Sequence, residues 1–150
     1  MILESTQPLL LRHSASDLTH FLACEALTAL DLKALTDKGL AARKVELDES
    51  GALIAKKGVA HEKTYLQNLH NAGKQVVDIQ AQPLATNEDR RIATENAMTS
   101  GVEVIYQATL IDGDLLGHAD FLLRVETPSS LEHGGEMISS PRQDLKPLFV

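Results

Sequence analysis

Two acidic side chains occupy positions at which the pattern of apolar residues predicts a hydrophobic side chain. Glu62 follows Val59 by three residues and precedes Leu66 by four, so it lies within the apolar stripe of a predicted helix. Asp120 alternates with Leu122 on one face of a predicted strand whose two faces are both mostly apolar. A carboxylate buried among apolar groups is costly unless a partner compensates its charge. Each of the two acids therefore needs a partner.

Two kinds of partner fit these carboxylates. A nearby Arg or Lys, or a set of backbone hydrogen bonds, would neutralise each acid and give it a structural role. A shared divalent cation would give both acids a catalytic role, because carboxylate oxygens suit Mg²⁺ or Mn²⁺. His61 precedes Glu62 and could add an imidazole ligand, although a single His on a helix is more often structural. The residues alone leave both interpretations open.

Helical periodicity and capping residues predict the elements that would position these side chains. The predicted elements are helices over about residues 15–35, 52–71 and 87–100, a strand over residues 76–79 and a charged loop over residues 39–51. Ser14 and Asp17 form a predicted capping box before the first helix, and Gly73 closes the second. The stretch Thr86-Asn87-Glu88-Asp89 can cap the third helix, which stops at Gly101.

The clearest local signal is a predicted β-hairpin. Its strands, Val102–Ile111 and Asp114–Glu126, are separated by Asp112-Gly113, which predicts a two-residue type I′ turn. The resulting register pairs Ile111 with Asp114, Gln107 with His118 and Ile105 with Asp120. Because both faces of the second strand are mostly apolar, we expect it to be central and covered on both sides. The sequence predicts an α/β fold, with helices packed on a mixed or antiparallel sheet built around this hairpin.

The composition is that of a soluble cytoplasmic domain. The chain has 150 residues, 43% hydrophobic and 23% charged, and no apolar run approaches the roughly 18 residues of a membrane helix. The N-terminus lacks the features of a secretory signal, and the single cysteine, Cys24, excludes an internal disulfide. A net charge of −7 argues against a simple nucleic-acid coat. It does not argue against a nuclease, whose metal-binding carboxylates lower the net charge themselves.

An ordered set of short motifs covers roughly residues 14–131. In chain order the motifs are Ser16-Asp17-Leu18 with Phe21-Leu22-Ala23-Cys24, Leu30-Asp31-Leu32, Gly58-Val59-Ala60-His61-Glu62 with Tyr65-Leu66, Thr94 with Ala97-Met98, Val104 to Leu110, and Gly117 to Leu122 with Arg124-Val125, closing on Pro128-Ser129. No single motif is specific, but their order is. The set resembles the N-terminal part of the nuclease domain in a RecB-like putative nuclease family of the PD-(D/E)XK superfamily.

The resemblance implies a restriction-endonuclease-like core that hydrolyses DNA with Mg²⁺ or Mn²⁺. In such nucleases a Gly-x-x-His helix, matched by residues 58–61, supplies a metal-ligating His and often a nearby Glu. A Gly-x-x-Asp strand, matched by residues 117–120, supplies the first metal-binding Asp. The resemblance therefore assigns Asp120 as the catalytic residue, His61, Asp120 and Glu62 as metal ligands, and Gln107 as a hydrogen-bonding support for these ligands. The alternative for Gln107 is a plain cross-strand hydrogen bond, which is the commoner role of such a residue.

The resemblance ends before the strand that supplies a second acid and a lysine in such nucleases. Ser140 and Arg142 fall near the two expected positions, but Ser140 is neutral and Arg142 keeps its proton. Asp144-Leu145-Lys146 repeats the pattern, yet prolines bracket it, and proline is poorly tolerated in a central strand. The expected domains are a partial RecB-like nuclease domain over residues 1–131 and a divergent or frameshifted tail over residues 132–150.

Without the second acid and the lysine, we expect hydrolysis to be impaired or absent unless a partner chain completes the domain. An iron–sulfur cluster is not expected, because related exonucleases place three cysteines after the nuclease motifs and none follows Cys24. Two alternatives stay open. One is a non-cleaving module that binds nucleic acid or protein, which an exposed strand edge at Val102–Ile111 would support. The other is a non-functional gene fragment.

Overall fold

The structure, a computed structural model, describes residues 1–4, 10–45, 48–125 and 148–149, which contain both helices and strands. In chain order the elements are β1 (Ile2–Glu4), β2 (Leu10–Arg12), α1 (Ala15–Ala23), α2 (Glu25–Ala34), α3 (Lys38–Ala41), α4 (Glu49–Asn71), β3 (Val76–Asp78), α5 (Asn87–Ser100), β4 (Val104–Asp112), β5 (Leu115–Val125) and β6 (Leu148–Phe149). The predicted α/β class is confirmed. None of the described helices has the length and apolar character to cross a membrane.

The chain divides into two compact units. The first comprises Met1–Lys63 with Leu110–His118, and the second comprises Thr64–Thr109 with Ala119–Val150. Four strands lie side by side in the order β3-β4-β5-β6. β3 is parallel to β4, with Val76 opposite Val104, whereas β6 is antiparallel to β5. The sheet is therefore mixed, and α5 provides the crossover that the parallel pair requires.

The apolar core of the second unit lies where α5 packs on this sheet. Its buried members are Ile79, Ala97, Val102, Ile105 and Ala108. The ends of α5 are as predicted: Thr86 and Asp89 form a capping box, and Gly101 ends the helix with a φ of 73°. Burial of a large aliphatic side chain stabilises a fold by roughly 1.5–3 kcal/mol. The core therefore holds β4 firmly against α5.

A buried hydroxyl closes the open side of β4. β3 pairs with β4 over residues 104–106, and farther along β4 the backbone N–H of Thr109 donates to Oγ1 of Thr94 in α5, at 3.0 Å. The Thr94 hydroxyl in turn donates to the carbonyl of Arg90 at 2.9 Å. The exposed strand edge at Val102–Ile111 that would have supported a binding module is therefore not observed. β4 lies inside the sheet, and a side chain covers its backbone where β3 ends.

The first unit contains two helices where one was predicted over residues 15–35. Cys24 is extended (φ −167°, ψ 113°) and separates α1 from α2. The break lets Nδ1 of His20 approach Oδ2 of Asp31 to 2.9 Å, and Nζ of Lys44 bonds the other oxygen of Asp31 at 2.7 Å. In one continuous helix, residues eleven apart would be separated by roughly 16 Å along the axis. The contacts of Asp31 with His20 and Lys44 thus outweigh the local preference for an unbroken helix.

Asp17 anchors the start of α1, as the predicted capping box required. Its carboxylate accepts hydrogen bonds from the backbone and hydroxyl of Ser14, and the Met1 ammonium lies 2.5 Å from Oδ1. Desolvation by burial would raise the pKa of this carboxyl. The hydrogen bonds from Met1 and Ser14 outweigh it and lower the pKa from its ordinary 3.8 to about 2. Asp17 is therefore anionic at any ordinary pH.

The hairpin between β4 and β5 is confirmed, but its turn lies one residue later than predicted. The two connecting residues are Gly113 and Asp114, and of these only Gly113 has a positive φ, of 54°. This pattern fits a type II′ turn instead of type I′. The Arg12 guanidinium donates to the Gly113 carbonyl, and the backbone N–H of His13 donates to the Asp114 carbonyl at 2.8 Å. These contacts fix the turn, so the predicted pairing of Ile111 with Asp114 is wrong.

β5 is less covered than its apolar sequence predicts. Leu116 is its one buried residue, while His118 and Asp120 are exposed. The prediction that this strand is covered on both sides is therefore wrong. Asp120 is exposed, so water solvates its charge and no compensating partner is required. The expected burial therefore gives no reason to assign Asp120 as a metal ligand.

Candidate functional site

Asp120 and Gln107 are the predicted site residues that the structure brings into contact. Nε2 of Gln107 donates to Oδ1 of Asp120 at 3.2 Å. The displaced turn shifts the predicted partners of Gln107 along β5, away from His118 and toward Asp120. Within the described ranges, Oδ2 of Asp120 makes no hydrogen bond or ion pair. One oxygen of this exposed carboxylate is therefore held by Gln107.

The backbone of Gln107 is unusual for a residue inside a strand. Its φ is 53°, in the left-handed region that side chains other than Gly, Asn and Asp seldom adopt. Its neighbours in β4, Tyr106 and Ala108, are both buried, which holds the strand on either side of it. Such a conformation costs on the order of 1–2 kcal/mol and persists only where the surroundings impose it. In this conformation the Gln107 amide lies next to Asp120.

An aromatic cluster holds the strand segment that carries Asp120. The ring of Phe121 packs edge-on against Tyr65 of α4, with centroids 4.8 Å apart, and lies 5.1 Å from the ring of Tyr106. The sequence has five aromatic residues, so this cluster takes more than half of them. Such pairs contribute about 0.5–1.5 kcal/mol beyond area burial. No role was predicted for these rings, although the scarcity of aromatic residues elsewhere was a usable signal.

His61 and Glu62 lie in the middle of α4. His61 is exposed, and Glu62 is half-buried. Leu66 and Leu69 on the predicted stripe are also half-buried, whereas Val59 is exposed. The stripe is therefore present from Glu62 onward and absent before it. Glu62 occupies its border, which is a position that tolerates a carboxylate without a metal.

The described residues do not assemble a complete metal site. Among them, no three His, Cys, Asp or Glu side chains come close enough together to hold one ion. The donor chemistry at Asp120 nevertheless fits a hard cation, because Mg²⁺ is commonly held by one or two carboxylates together with substrate phosphates. The assignment of His61, Glu62 and Asp120 to one cation stays a prediction.

A cavity of about 510 Å³ in the second unit carries charged groups that already have partners. Nζ of Lys74 lies 2.6 Å from Glu103, and the Arg124 guanidinium donates to the Gly101 carbonyl at 3.0 Å. The bond from Lys74, with a further one from the backbone of Gln75, lowers the pKa of the Glu103 carboxyl. These cations are engaged within the protein, so the cavity offers no obvious phosphate site.

The predicted replacements for the second acid and the lysine lie outside the described residues. These are Ser140, Arg142 and Asp144-Leu145-Lys146. Of the predicted tail, the structure describes β6 alone, where Leu148 lies opposite Val125 of β5.

Comparison of the chain with protein-family models, with curated proteins and with solved structures finds no match in any of the three. The resemblance to RecB-like nucleases therefore stays a prediction from the ordered motifs of the sequence.

Proposed function

We propose that this chain carries part of a metal-dependent site for hydrolysis of DNA phosphodiesters, of the RecB-like kind, with an impaired or absent hydrolytic step. Asp120 provides the first carboxylate oxygen to Mg²⁺ or Mn²⁺, and His61 and Glu62 are the further candidate ligands. An ion bound there would polarise the scissile phosphate and activate the attacking water. The observation that carries the proposal is the Gln107–Asp120 contact, which engages one oxygen of an exposed carboxylate.

The chain's own residues divide the work at this site. Gln107 holds Oδ1 of Asp120, so the carboxylate cannot rotate freely. The ring of Phe121, packed between Tyr65 and Tyr106, fixes the backbone of the next residue. The lysine that would steady the attacking water has no convincing counterpart in the sequence, because Arg142 keeps its proton and cannot act as a base. We therefore expect the chain to bind metal and DNA but to cleave DNA slowly at most.

The test is cleavage of an end-labelled DNA duplex in Mn²⁺ by the full chain, beside two matched variants. Asp120→Asn removes the proposed ligand charge. Asp114→Asn removes an exposed carboxylate of the turn between the two strands, whose side chain has no partner among the described residues. We expect slow Mn²⁺-dependent nicking that Asp120→Asn abolishes and Asp114→Asn preserves. Equal nicking by the wild type and Asp120→Asn would contradict the proposal, as would nicking that persists with EDTA.

A second candidate is a module that binds a protein partner without cleaving DNA. It is favoured by the aliphatic surface of the first unit, where Leu22 is 84% exposed and Leu18 and Phe21 are about half exposed. A cavity of about 560 Å³ in the same unit has mostly aliphatic walls, lined by Leu27, Leu30, Ala34 and Leu40 among others. Exposed apolar groups in such numbers mark interaction surfaces in many proteins. A gel shift in Mn²⁺ without nicking, lost in Asp120→Asn, would separate DNA binding from this alternative.

A further inference from the structure

The cavity of about 560 Å³ in the first unit has aliphatic walls that the protein covers only in part. The walls come from one face of α2, which carries Leu27, Leu30 and Ala34, and from Leu40 of α3. Leu27 is 38% exposed and Leu30 is 48% exposed, so much of their aliphatic surface contacts water. The volume lies in the range of small-molecule sites, roughly 300–1,000 Å³. An apolar ligand of that size would remove this surface from water, which is favourable.

The charged groups of the cavity lie close together, and the cations outnumber the carboxylates. Among the described residues of the lining, Asp31 is the one carboxylate. It bonds Nζ of Lys44 at 2.7 Å and Nδ1 of His20 at 2.9 Å, and these bonds lower the pKa of its carboxyl. Arg43, next to Lys44 in the chain, is exposed, and its guanidinium forms no hydrogen bond or ion pair within the described ranges. Lys44 thus balances the charge of Asp31, and Arg43 adds a positive charge that is not compensated.

This positive charge is a local exception in an acidic protein. Residues 27–44 contain four Lys and Arg residues against two Asp residues, whereas the whole chain has a net charge of −7. A cationic ligand would meet the Arg43 charge at the cavity and is therefore disfavoured there. A guanidinium is planar and can donate two parallel hydrogen bonds to a carboxylate. The ligand that complements the cavity therefore combines an aliphatic body with an anionic head group.

We propose that this cavity binds a small amphipathic carboxylate, with its aliphatic tail against Leu27, Leu30 and Leu40 and its head group at Arg43. The inference goes beyond the proposed function, because it requires neither DNA nor a metal ion and concerns the first unit alone. It also differs from the second candidate function, in which a protein partner covers the same surface. Aliphatic walls with one available cation match a single tail and a single head group.

The test measures binding of decanoate to the full chain by isothermal titration calorimetry, at concentrations below those at which decanoate forms micelles. Butanoate has the same head group on a shorter tail, and decyltrimethylammonium has a tail of the same length with a positive head group. Arg43→Gln removes the guanidinium, and Ala34→Leu places a larger side chain in the cavity wall. Lys33→Gln removes a cation of α2 that does not line the cavity, and is the matched control. Circular dichroism melts confirm that each variant folds.

We expect decanoate to bind, and each additional methylene of the tail to tighten binding by up to about fourfold. Arg43→Gln and Ala34→Leu should each weaken binding of decanoate by about tenfold, through loss of the head-group contact and of tail space respectively. Lys33→Gln should bind decanoate as the wild type does. Decyltrimethylammonium should bind more weakly than decanoate, although the net charge of the chain favours a cation.

Three results would overturn the proposal. The first is an unchanged dissociation constant of decanoate in Arg43→Gln, or an equal loss in Lys33→Gln, because Arg43 would then have no specific role. The second is equal or tighter binding of decyltrimethylammonium. The third is an absence of decanoate binding; if the chain then elutes as a dimer in size-exclusion chromatography, a second copy is the better candidate for covering the cavity. None of these results bears on hydrolysis of DNA, so the two proposals stand or fall separately.

Discussion

The two units of the chain are stabilised by different kinds of contact. In the second unit an apolar core lies between α5 and the sheet. This unit contains all the buried hydrophobic residues of the described chain except Leu116. In the first unit the defining contacts are polar, and they centre on Asp17 and Asp31. The large exposed hydrophobic side chains show the reverse distribution, since all of them except Tyr65 and Ile92 belong to the first unit.

This difference determines which unit can hold side chains in a fixed geometry and which unit offers an exposed apolar surface for binding. The Gln107–Asp120 contact lies in the packed unit, whose core can hold a strained backbone in place. The first unit leaves the Thr28 hydroxyl buried without a hydrogen-bond partner among the described residues, and its helices keep much of their apolar surface exposed. The second unit thus carries the candidate site on a packed core, whereas the first unit exposes apolar side chains. Four substitutions test whether the contrast is real.

The largest effect is expected from a cavity in the packed unit. Ile105 is fully buried, so Ile105→Ala should lower the free energy of unfolding by about 2–5 kcal/mol. Ile54 on α4 is 71% exposed, and Ile54→Ala should change it by less than about 0.5 kcal/mol. Urea unfolding followed by circular dichroism measures both values. Similar losses of unfolding free energy in the two variants would contradict the conclusion that an apolar core stabilises the second unit.

The next effect concerns the polar anchor of the first unit. The folded pKa of Asp17, about 2, lies below its ordinary 3.8, so the carboxylate stabilises the fold above about pH 4. That contribution, about 2 kcal/mol, is lost as pH falls from about 4 to about 2. Asp17→Asn should be less stable than wild type by about this amount at pH 7 and equally stable near pH 2.

Urea titrations at several pH values measure the difference for Asp17→Asn, with Asp112→Asn as the control. Asp112 is exposed in the same unit, and its side chain forms no hydrogen bond or ion pair among the described residues. A gap between Asp17→Asn and wild type that stayed constant down to pH 2 would rule out the carboxylate charge as the source of the stability.

A smaller effect is expected from the hydroxyl that covers β4. Thr94→Val keeps the shape of the side chain but removes the hydroxyl that accepts a hydrogen bond from the Thr109 N–H, at a net cost of about 1 kcal/mol. Thr99→Val, on the exposed side of α5, removes a hydroxyl that bonds only the Glu95 carbonyl and should be nearly neutral. Thermal melts of the two variants give the comparison. Equal melting temperatures would mean that the Thr109 N–H finds another acceptor.

The smallest effect lies in the ion pair between Lys44 and Asp31. Lys44 is more than half exposed, so Lys44→Gln should cost less than about 1 kcal/mol, and the loss should shrink in high salt. Lys33→Gln on α2 is the control, because Lys33 has no ion-pair partner among the described residues. A cost for Lys44→Gln that does not change between low and high salt would point to packing by the lysine stem instead of charge.

Local rules predicted much of the fold. The capping boxes at Ser14 and Thr86, and the end of α5 at Gly101, depend on residues within one turn of each other, so the sequence contains all that is needed. The break at Cys24 could not be predicted in this way, because it depends on contacts of Asp31 with His20 and Lys44. The turn at Gly113 was missed for a similar reason: Arg12, about a hundred residues earlier, fixes it.

The candidate site was predicted in its residue types but not in its geometry. Asp120 and Gln107 were chosen as neighbours across a hairpin, and they are in contact. The predicted register would have set Gln107 against His118, because an Asp-Gly pair fits either of two adjacent turn positions. The positive φ of Gln107 had no signal in the sequence, since a glutamine in a β-rich run predicts ordinary extended backbone. The burial expected for Asp120 was wrong, because alternation does not reveal how much of a strand its neighbours cover.

The hydrogen bond between Thr94 and Thr109 also links hydrogen exchange in the second unit to the docking of α5. An amide proton held by a neighbouring strand exchanges with deuterium when the sheet opens, but the Thr109 proton is held by a helix side chain. Its exchange therefore requires α5 to leave the sheet, even while the strands remain paired. The hydrogen-exchange rate of this one amide therefore reports how often α5 separates from the sheet.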